Sequence, residues 1–322
     1  MQVTQTAGMA LAADLADDDK RPRVVALLYT MLLLGLIVSS AAYGLLLQNF
    51  SPVRLIQVIQ GSAVLVLVLN LFALWKQEAR QTSRGQREEG GFGRHWRELM
   101  AEPHMRRFLW ATALGSCAFG MQDIVLEPYG AQVLGLGVGS TSGLTAVAAL
   151  GSMLAFGLSA RVLNHRISAC ALGGLGALVG LLAFALVIFS APWQSVWLFK
   201  TGVLLVGLGS GLFSVAMLVN AMTYGDARLG GLALGAWGAV QATSAGLAMA
   251  LGGVLRDGID ALAIGGHLGE ALQSNVTGYS FVYHLEMYLL LTVLIALGPM
   301  ARRGMQRQQR VATRFGLAEL PG

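Results

Sequence analysis

Asp123 and Glu127 are the residues of this sequence whose types and spacing most clearly point to chemistry. They occur in FGMQDIVLEPYGAQVLG, in a chain that is 55% hydrophobic and only 12% charged. On a helix, two residues four positions apart lie on the same face. A carboxylate facing lipid costs about 2.5–3.5 kcal/mol near the bilayer centre, so both side chains are expected to face a cavity or a polar partner.

Polar residues at a comparable depth on other apolar stretches offer such partners. His284 and Glu286 lie near the start of YSFVYHLEMYLLL, and Lys200 begins another apolar stretch. One use of these groups is an ion-pair and hydrogen-bond network that fixes three helices together. The other is titration, in which Asp123 or Glu127 takes up and releases a proton because burial disfavours its charge. The residues alone are compatible with both uses.

The elements that position these residues are expected to be transmembrane helices. The mean hydropathy of +0.62 over 322 residues is that of a polytopic membrane protein. Crossing a hydrocarbon core of about 30 Å takes roughly 20 apolar residues in a helix, which satisfies its own backbone polar groups. Eight stretches fit, at about 24–47, 53–75, 107–129, 140–163, 167–190, 196–220, 230–254 and 279–300.

The basic residues indicate how these helices are oriented. If the stretch at 24–47 enters from the cytoplasm, 19 of the 22 Lys and Arg residues fall on the cytoplasmic side, and only Arg54, Lys200 and Arg256 fall on the other. Such an excess marks the cytoplasmic face of an inner-membrane protein. The C-terminus is therefore predicted to be cytoplasmic. Counting about 1.5 Å per residue from Arg107 places Asp123 in the outer third of the membrane and Glu127 at the far interface.

The charge pattern also divides the chain. The polar segment after the second stretch is charged throughout, which is typical of a connection between two bundles. We therefore predict an N-terminal bundle remnant at 1–75 (the end of one helix plus two transmembrane helices), a cytoplasmic linker at 76–106, a six-helix bundle at 107–300 and a basic cytoplasmic tail at 301–322. In a six-plus-six repeat, the first three helices would precede this sequence.

Three stretches carry a family resemblance: QTAGMALAADLADDDKRPRVVALLY, SPVRLIQVIQGSAVLVLVLNLFALWKQEAR and FGMQDIVLEPYGAQVLGL. They resemble the PucC and LhaA family, the bacteriochlorophyll-delivery branch of the major facilitator superfamily, from Gln5 to about Arg303. The resemblance implies a twelve-helix fold and a role in assembling light-harvesting antenna complexes. One departure is the turn GLSARVLNHR, which keeps Arg161 and Arg166 but lacks the acidic residue of the superfamily's cytoplasmic loop motif.

The resemblance also implies a pigment or substrate site, whose most specific signature runs from Gln122 to Gly130. The candidate site residues are Gln122, Asp123, Glu127, Tyr129, His284 and Glu286. Because the pigment's Mg²⁺ has open axial positions that accept an imidazole or an oxygen donor, His284 and Glu127 are the candidate axial ligands. Bacteriochlorophyll or a precursor would then be cargo, and antenna polypeptides and membrane lipid would be the partners.

Other function classes fit less well. The excess of basic residues meets anionic lipid headgroups on the cytoplasmic face, so nucleic-acid binding is not needed to explain it. An enzyme is not expected, because a membrane prenyltransferase needs paired Asp-rich motifs and only one acidic cluster, at Asp14 to Asp19, is present. The alternative is a proton-coupled small-molecule transporter of the major facilitator superfamily, with Asp123 or Glu127 as the titrating group.

Overall fold

The computed structural model describes residues 21–49, 51–74, 92–164, 168–223, 230–274 and 276–314, and within them the chain is helical with no strand. Apolar side chains and small residues dominate these ranges, which favours helices that satisfy their own backbone groups. The helices are α1 Arg21–Leu46, α2 Pro52–Leu74, α3 Phe92–Ala101, α4 Pro103–Gln132, α5 Val138–Asn164, α6 Ala169–Ser190, α7 Val196–Thr223, α8 Gly230–Ile264 and α9 Thr277–Arg314.

Six of these helices are long and apolar enough to cross a membrane by length and composition. They contribute Pro52–Ala73, Pro103–Gln132, Val138–Ser159, Ala169–Ser190, Val196–Met222 and Thr277–Ala301. A shorter apolar stretch, Thr30–Leu46, lies in α1. The all-helical, multi-pass architecture predicted from the sequence is therefore confirmed, and each of the eight predicted spans lies on a helix.

Two helices run well past their predicted ends. α8 continues to Ile264 and α9 to Arg314, whereas the predicted spans stop near 254 and 300. The α8 extension is stabilised by Arg256, which pairs at i+4 with Asp260. Asp260 in turn accepts the backbone N–H of Gly278 at 2.9 Å, at the start of α9. Helix α8 thus continues about three turns past its predicted end near 254.

Helices α4 to α9 form one bundle. α7 packs against α5 and α6, α4 against α8, and α9 against α4, α6 and α8. α1 joins this bundle through α5, while the most apolar part of α2 has no buried residue. The predicted division at the 76–106 linker remains a prediction, since residues 75–91 lie outside the described ranges.

Small residues set the closest helix contacts. A Cβ added to Gly209 would lie 2.8 Å from the Gly176 carbonyl oxygen, where α7 crosses α6. A Cβ on Gly211 would lie 2.7 Å from the Ala155 side chain of α5. The glycines of GLGSGLF at 207–213 therefore permit close backbone approach, as their spacing predicts.

Candidate functional site

Glu127 borders a cleft of about 430 Å³ between the first two helices and the bundle. Its Oε1 accepts a hydrogen bond from the Thr145 hydroxyl at 3.0 Å, which holds the carboxyl against α5. The cleft is lined by Leu36, Ser39, Ser40, Tyr43, Leu47, Leu55, Val58, Ile59, Ser62, Glu127, Ser142 and Thr145. Its walls come from α1, α2, α4 and α5, and Glu127 therefore borders a cleft and contacts a polar partner.

Hydroxyl groups give this cleft a polar side within an apolar wall. The Tyr43 hydroxyl donates to Ser62 Oγ at 2.8 Å and joins α1 to α2. The Ser40 hydroxyl donates to the Ser142 carbonyl oxygen at 2.5 Å and joins α1 to α5. Such a surface suits an amphipathic molecule, whose apolar body contacts the leucines while a few polar groups meet the hydroxyls and the carboxylate.

Gln122, Asp123 and Glu286 form a second group inside the bundle, at the contact between α4 and α9. Gln122 is 7% exposed, and its Nε2 donates to Asp123 Oδ1 at 2.6 Å. Asp123 is exposed, whereas Glu286 is fully buried within electrostatic range of the Asp123 carboxylate. Consecutive helix positions differ by about 100°, which turns Gln122 inward and leaves Asp123 outward.

Tyr129 lies in the core, away from both groups. It is 1% exposed, and its hydroxyl donates to the Val187 carbonyl oxygen at 2.9 Å. Its ring packs edge-on against Tyr279 and Tyr283, with centroid separations of 5.4 and 5.5 Å. The side chain therefore ties α4 to α6 and α9 and is a packing residue here.

His284 lies on the exposed face of α9. Its Nδ1 is 2.6 Å from the Ser280 carbonyl oxygen, one turn earlier in the same helix. Residues 284 and 286 are about 200° apart around the helix axis, so their side chains point in nearly opposite directions. When Glu286 faces the core, His284 must therefore face outward. The six predicted site residues are thus divided among the cleft, the α4–α9 contact, the core and the outer face of α9.

An outer network that the sequence analysis missed joins α4, α8 and α9. Gln132 Oε1 accepts from Arg256 Nη2 at 2.7 Å and from the Tyr279 hydroxyl at 2.8 Å. Arg256 also contacts Asp257 at 2.6 Å and Asp260 at 3.3 Å, and its guanidinium lies 4.5 Å from the centroid of the Tyr279 ring. The i, i+4 spacing of Arg256 and Asp260 was the one feature of the sequence that could have predicted this network.

This network corrects the predicted partners of the ion-pair network. A network does link three helices, but it uses α8 where the sequence suggested Lys200 of α7. Among the described residues Lys200 pairs with no carboxylate, whereas Arg256 pairs with two. Partial burial disfavours the charged guanidinium, yet the hydrogen bond to Asp257 and the fields of Tyr279, Asp260 and Asp257 outweigh it and raise the pKa of Arg256.

No group of three or more His, Cys, Asp or Glu side chains in the described ranges is arranged to hold a metal ion. A protein-ligated metal centre is therefore not formed by these residues. A single axial ligand to a metal that arrives inside a macrocycle needs only one side chain, so that predicted role of His284 or Glu127 stays a prediction.

Known proteins resemble this chain over most of its length. The family described as "PUCC protein" matches residues 1–305. The "Uncharacterized protein in puhA-bchM intergenic region" of Rhodobacter capsulatus is 46% identical, over 100% of this chain and 68% of that protein. "Protein PucC" of Rhodovulum sulfidophilum is 47% identical, over 80% of this chain and 58% of that protein. The chain thus spans about six-tenths to two-thirds of the length of these relatives.

The fold has a counterpart among solved structures. A bacterial homolog to the human lysosomal transporter Spinster, in an inward-facing and unoccupied conformation, superposes with a TM-score of 0.61 at 17% identity. The alignment covers 93% of this chain and 74% of that one, which shows a major-facilitator-type helical fold. Together with the sequence match over residues 1–305, these findings place the chain in the PUCC family.

Proposed function

We propose that this protein is an assembly factor for photosynthetic light-harvesting antenna complexes, which delivers bacteriochlorophyll to the antenna polypeptides or escorts them in the membrane. Membership of the PUCC family supports this role. So does the stretch from Gln122 to Gly130, the signature of the family resemblance. The observation that carries the proposal is the arrangement of His284.

His284 fits an axial ligand of a pigment Mg²⁺. A carbonyl oxygen can only accept a hydrogen bond, so the short contact to Ser280 requires Nδ1 to carry the proton. The other ring nitrogen, Nε2, then keeps its lone pair for a metal. This hydrogen bond also fixes the ring orientation, as the outer-shell partner of a metal-binding histidine does.

The surroundings of His284 suit a flat apolar ring. Phe281 and Tyr288 lie one turn to either side on the same face of α9 and are 43% and 65% exposed. Leu291 and Ile295 continue this face toward the cytoplasmic side. In a bilayer this surface meets lipid, through which an apolar pigment and a newly inserted antenna helix both diffuse. The site can therefore be reached from the membrane.

Glu127 is the second candidate ligand. Its carboxylate borders the hydroxyl-lined cleft, and one of its oxygens already accepts from Thr145. A carboxylate oxygen is a favourable donor to Mg²⁺. The cleft could hold the polar edge of a pigment or the end of an antenna helix, and replacing Glu127 tests this role separately from that of His284.

Pigment copurification tests the proposal. The protein is purified from a bacteriochlorophyll-producing host, and the absorbance of bound pigment in the near infrared is compared with that of His284→Ala. We expect His284→Ala to lose the band, while His267→Ala, which removes an exposed histidine elsewhere, keeps it. An unchanged band in His284→Ala would overturn the ligand role.

A proton-coupled transporter is the second candidate function, and the pairing of exposed Asp123 with buried Glu286 favours it. Substrate-driven proton flux in vesicles containing the protein would support transport. Absence of such flux, with pigment bound, would support delivery. We propose that neither function includes an enzymatic step, and that the protein lies in the inner membrane with a cytoplasmic C-terminus.

A further inference from the structure

Glu286 is a buried acid whose carboxyl oxygens make no well-formed hydrogen bond in the described part of the chain, although the Gln122 backbone lies close to them. It is 0% exposed, and both of its carboxyl oxygens lack a partner in the described part of the chain. The Tyr283 hydroxyl and Gln122 Oε1 are likewise buried and unpartnered. Tyr283 precedes Glu286 by nearly one turn of α9, and α4 brings Gln122 to the same contact. Two buried polar groups with unused hydrogen-bonding capacity, the Tyr283 hydroxyl and Gln122 Oε1, therefore lie near this carboxyl.

Within the described residues, no cationic side chain neutralises this carboxyl. α9 packs against α4, α6 and α8, and the charged group that acts on Glu286 across these contacts is the Asp123 carboxylate, which repels a second negative charge. α6 brings no Asp, Glu, Lys, Arg or His, and Tyr283, which lies near Glu286, is itself surrounded by Tyr129 of α4 and Tyr279 of α9. The charged residues of α8, namely Arg256, Asp257 and Asp260, belong to the outer network, and His284 lies on the opposite face of α9.

Burying an ionised carboxylate without a cation is far more costly than burying a neutral acid. A protonated Glu286 also uses the groups around it. Its O–H is a donor that an ionised carboxylate lacks, and Gln122 Oε1 is an unused acceptor at the same contact between α4 and α9. Gln122 Nε2 donates to Asp123 Oδ1 at 2.6 Å, so Gln122 also contacts the second carboxyl group.

We propose that Glu286 is a proton-binding site within the bundle, and that Gln122 and Asp123 connect it to the exposed face of α4. The Asp123 carboxylate takes up a proton at the exposed face of α4; its O–H bond then breaks as the proton transfers to the Glu286 carboxylate, which leaves Asp123 ionised and Glu286 as the neutral acid. Gln122 orients the Asp123 carboxylate through its Nε2 donor and does not itself carry the proton. Release follows the same steps in reverse. This site differs from the pigment site at His284, and it assigns proton binding to Glu286 instead of Asp123 or Glu127.

Infrared spectroscopy of the full chain in lipid nanodiscs tests proton binding. We expect the carbonyl band of a protonated carboxylic acid at neutral pH. The band is expected to be lost in Glu286→Gln, to change frequency in Glu286→Asp and to persist in Asp123→Asn. Glu286→Gln should still fold, because an amide can accept and donate in the same places. Absence of the band from the unmodified protein would overturn the proposal, whatever the variants do.

The route is tested by exchange into D₂O, which shifts the same carbonyl band. We expect Asp123→Asn to slow the shift, while Glu270→Gln, which removes an exposed carboxylate between α8 and α9, exchanges as the unmodified protein does. Equal rates in both variants would contradict the route through Asp123. If Na⁺ rather than a proton occupied the site, the band would be absent and thermal stability would rise in NaCl over choline chloride; that result also refutes the proposal.

Discussion

Gly207 of α7 and Ala148 of α5 meet backbone to backbone, because a Cβ built on Gly207 would collide with the Ala148 carbonyl oxygen. The Ser152 hydroxyl donates to the Gly207 carbonyl oxygen at 2.9 Å across the same contact. We expect Gly207→Ala to lower the stability of the bundle by about 1–3 kcal/mol, because the two helices must move apart. Thermal unfolding in detergent measures this cost.

Gly246→Ala is the matched control for that prediction. Gly246 lies on α8, and a Cβ added there meets no atom within 4 Å. The substitution should leave the unfolding temperature unchanged or raise it slightly, since alanine has the higher helix propensity. Equal losses in the two variants would show that close approach of α5 and α7 is not what the glycine provides.

The outer network predicts a second stability effect. Arg256→Ala removes the hydrogen bond to Gln132, which joins α8 to α4, and the contacts with Asp257 and Asp260 within α8. Hydrogen bonds to charged groups contribute about 1.5–3 kcal/mol, and partial exposure of Arg256 reduces this, so a loss of about 1–2 kcal/mol is expected. Arg54→Ala, at an exposed arginine, is the control and should unfold at the original temperature. A similar loss in both would point to a general charge effect.

Tyr129 separates a packing role from a ligand role. Tyr129→Phe keeps the ring contacts with Tyr279 and Tyr283 and removes the hydroxyl's hydrogen bonds to the Val187 carbonyl oxygen and to Ser190 Oγ, so it should cost about 1 kcal/mol. Tyr129→Ala leaves a cavity and should cost about 3–5 kcal/mol. We expect Tyr129→Phe to retain pigment fully. Loss of pigment from a stably folded Tyr129→Phe variant would show that the Tyr129 hydroxyl takes part in pigment binding.

The orientation of the chain can be checked by chemical labelling. In a variant lacking Cys117 and Cys170, a cysteine placed at Arg87 of the linker should be protected from an impermeant reagent added to intact cells. A cysteine placed at His267, between α8 and α9, should be labelled. The physical reason is the excess of Lys and Arg on one side. Labelling of the linker from outside would reverse the predicted orientation.

Hydropathy and helix periodicity were sufficient to predict the helices, because length and apolarity alone decide whether a segment can cross a bilayer. The face shared by Asp123 and Glu127 was predictable for the same reason. The sequence could not predict which helix pairs meet, because α6 and α8 are both rich in small residues and differ in the partners that tertiary packing gives them. His284 and Glu286 were assigned to one site only because they lie at a similar depth in the membrane. Their side chains point in opposite directions from α9, so they do not share a site.

The outer network shows a second limit. The loop predicted after residue 254 seemed polar because Arg256, Asp257 and Asp260 follow each other closely. In the fold these charges pair with one another and with Gln132 and Gly278, so the helix continues through them. A charged segment continues a helix when its charges find partners on neighbouring helices, and those partners are known only from the three-dimensional arrangement.

Pigment transfer to an antenna polypeptide tests the central claim most directly. Vesicles containing an antenna polypeptide are mixed with pigment-loaded protein, and the near-infrared absorbance of the assembled antenna is followed with time. We predict that the antenna band grows faster with the unmodified protein than with free pigment, and that His284→Ala loses this advantage. Equal growth of the antenna band with and without the protein would contradict a role in delivering bacteriochlorophyll.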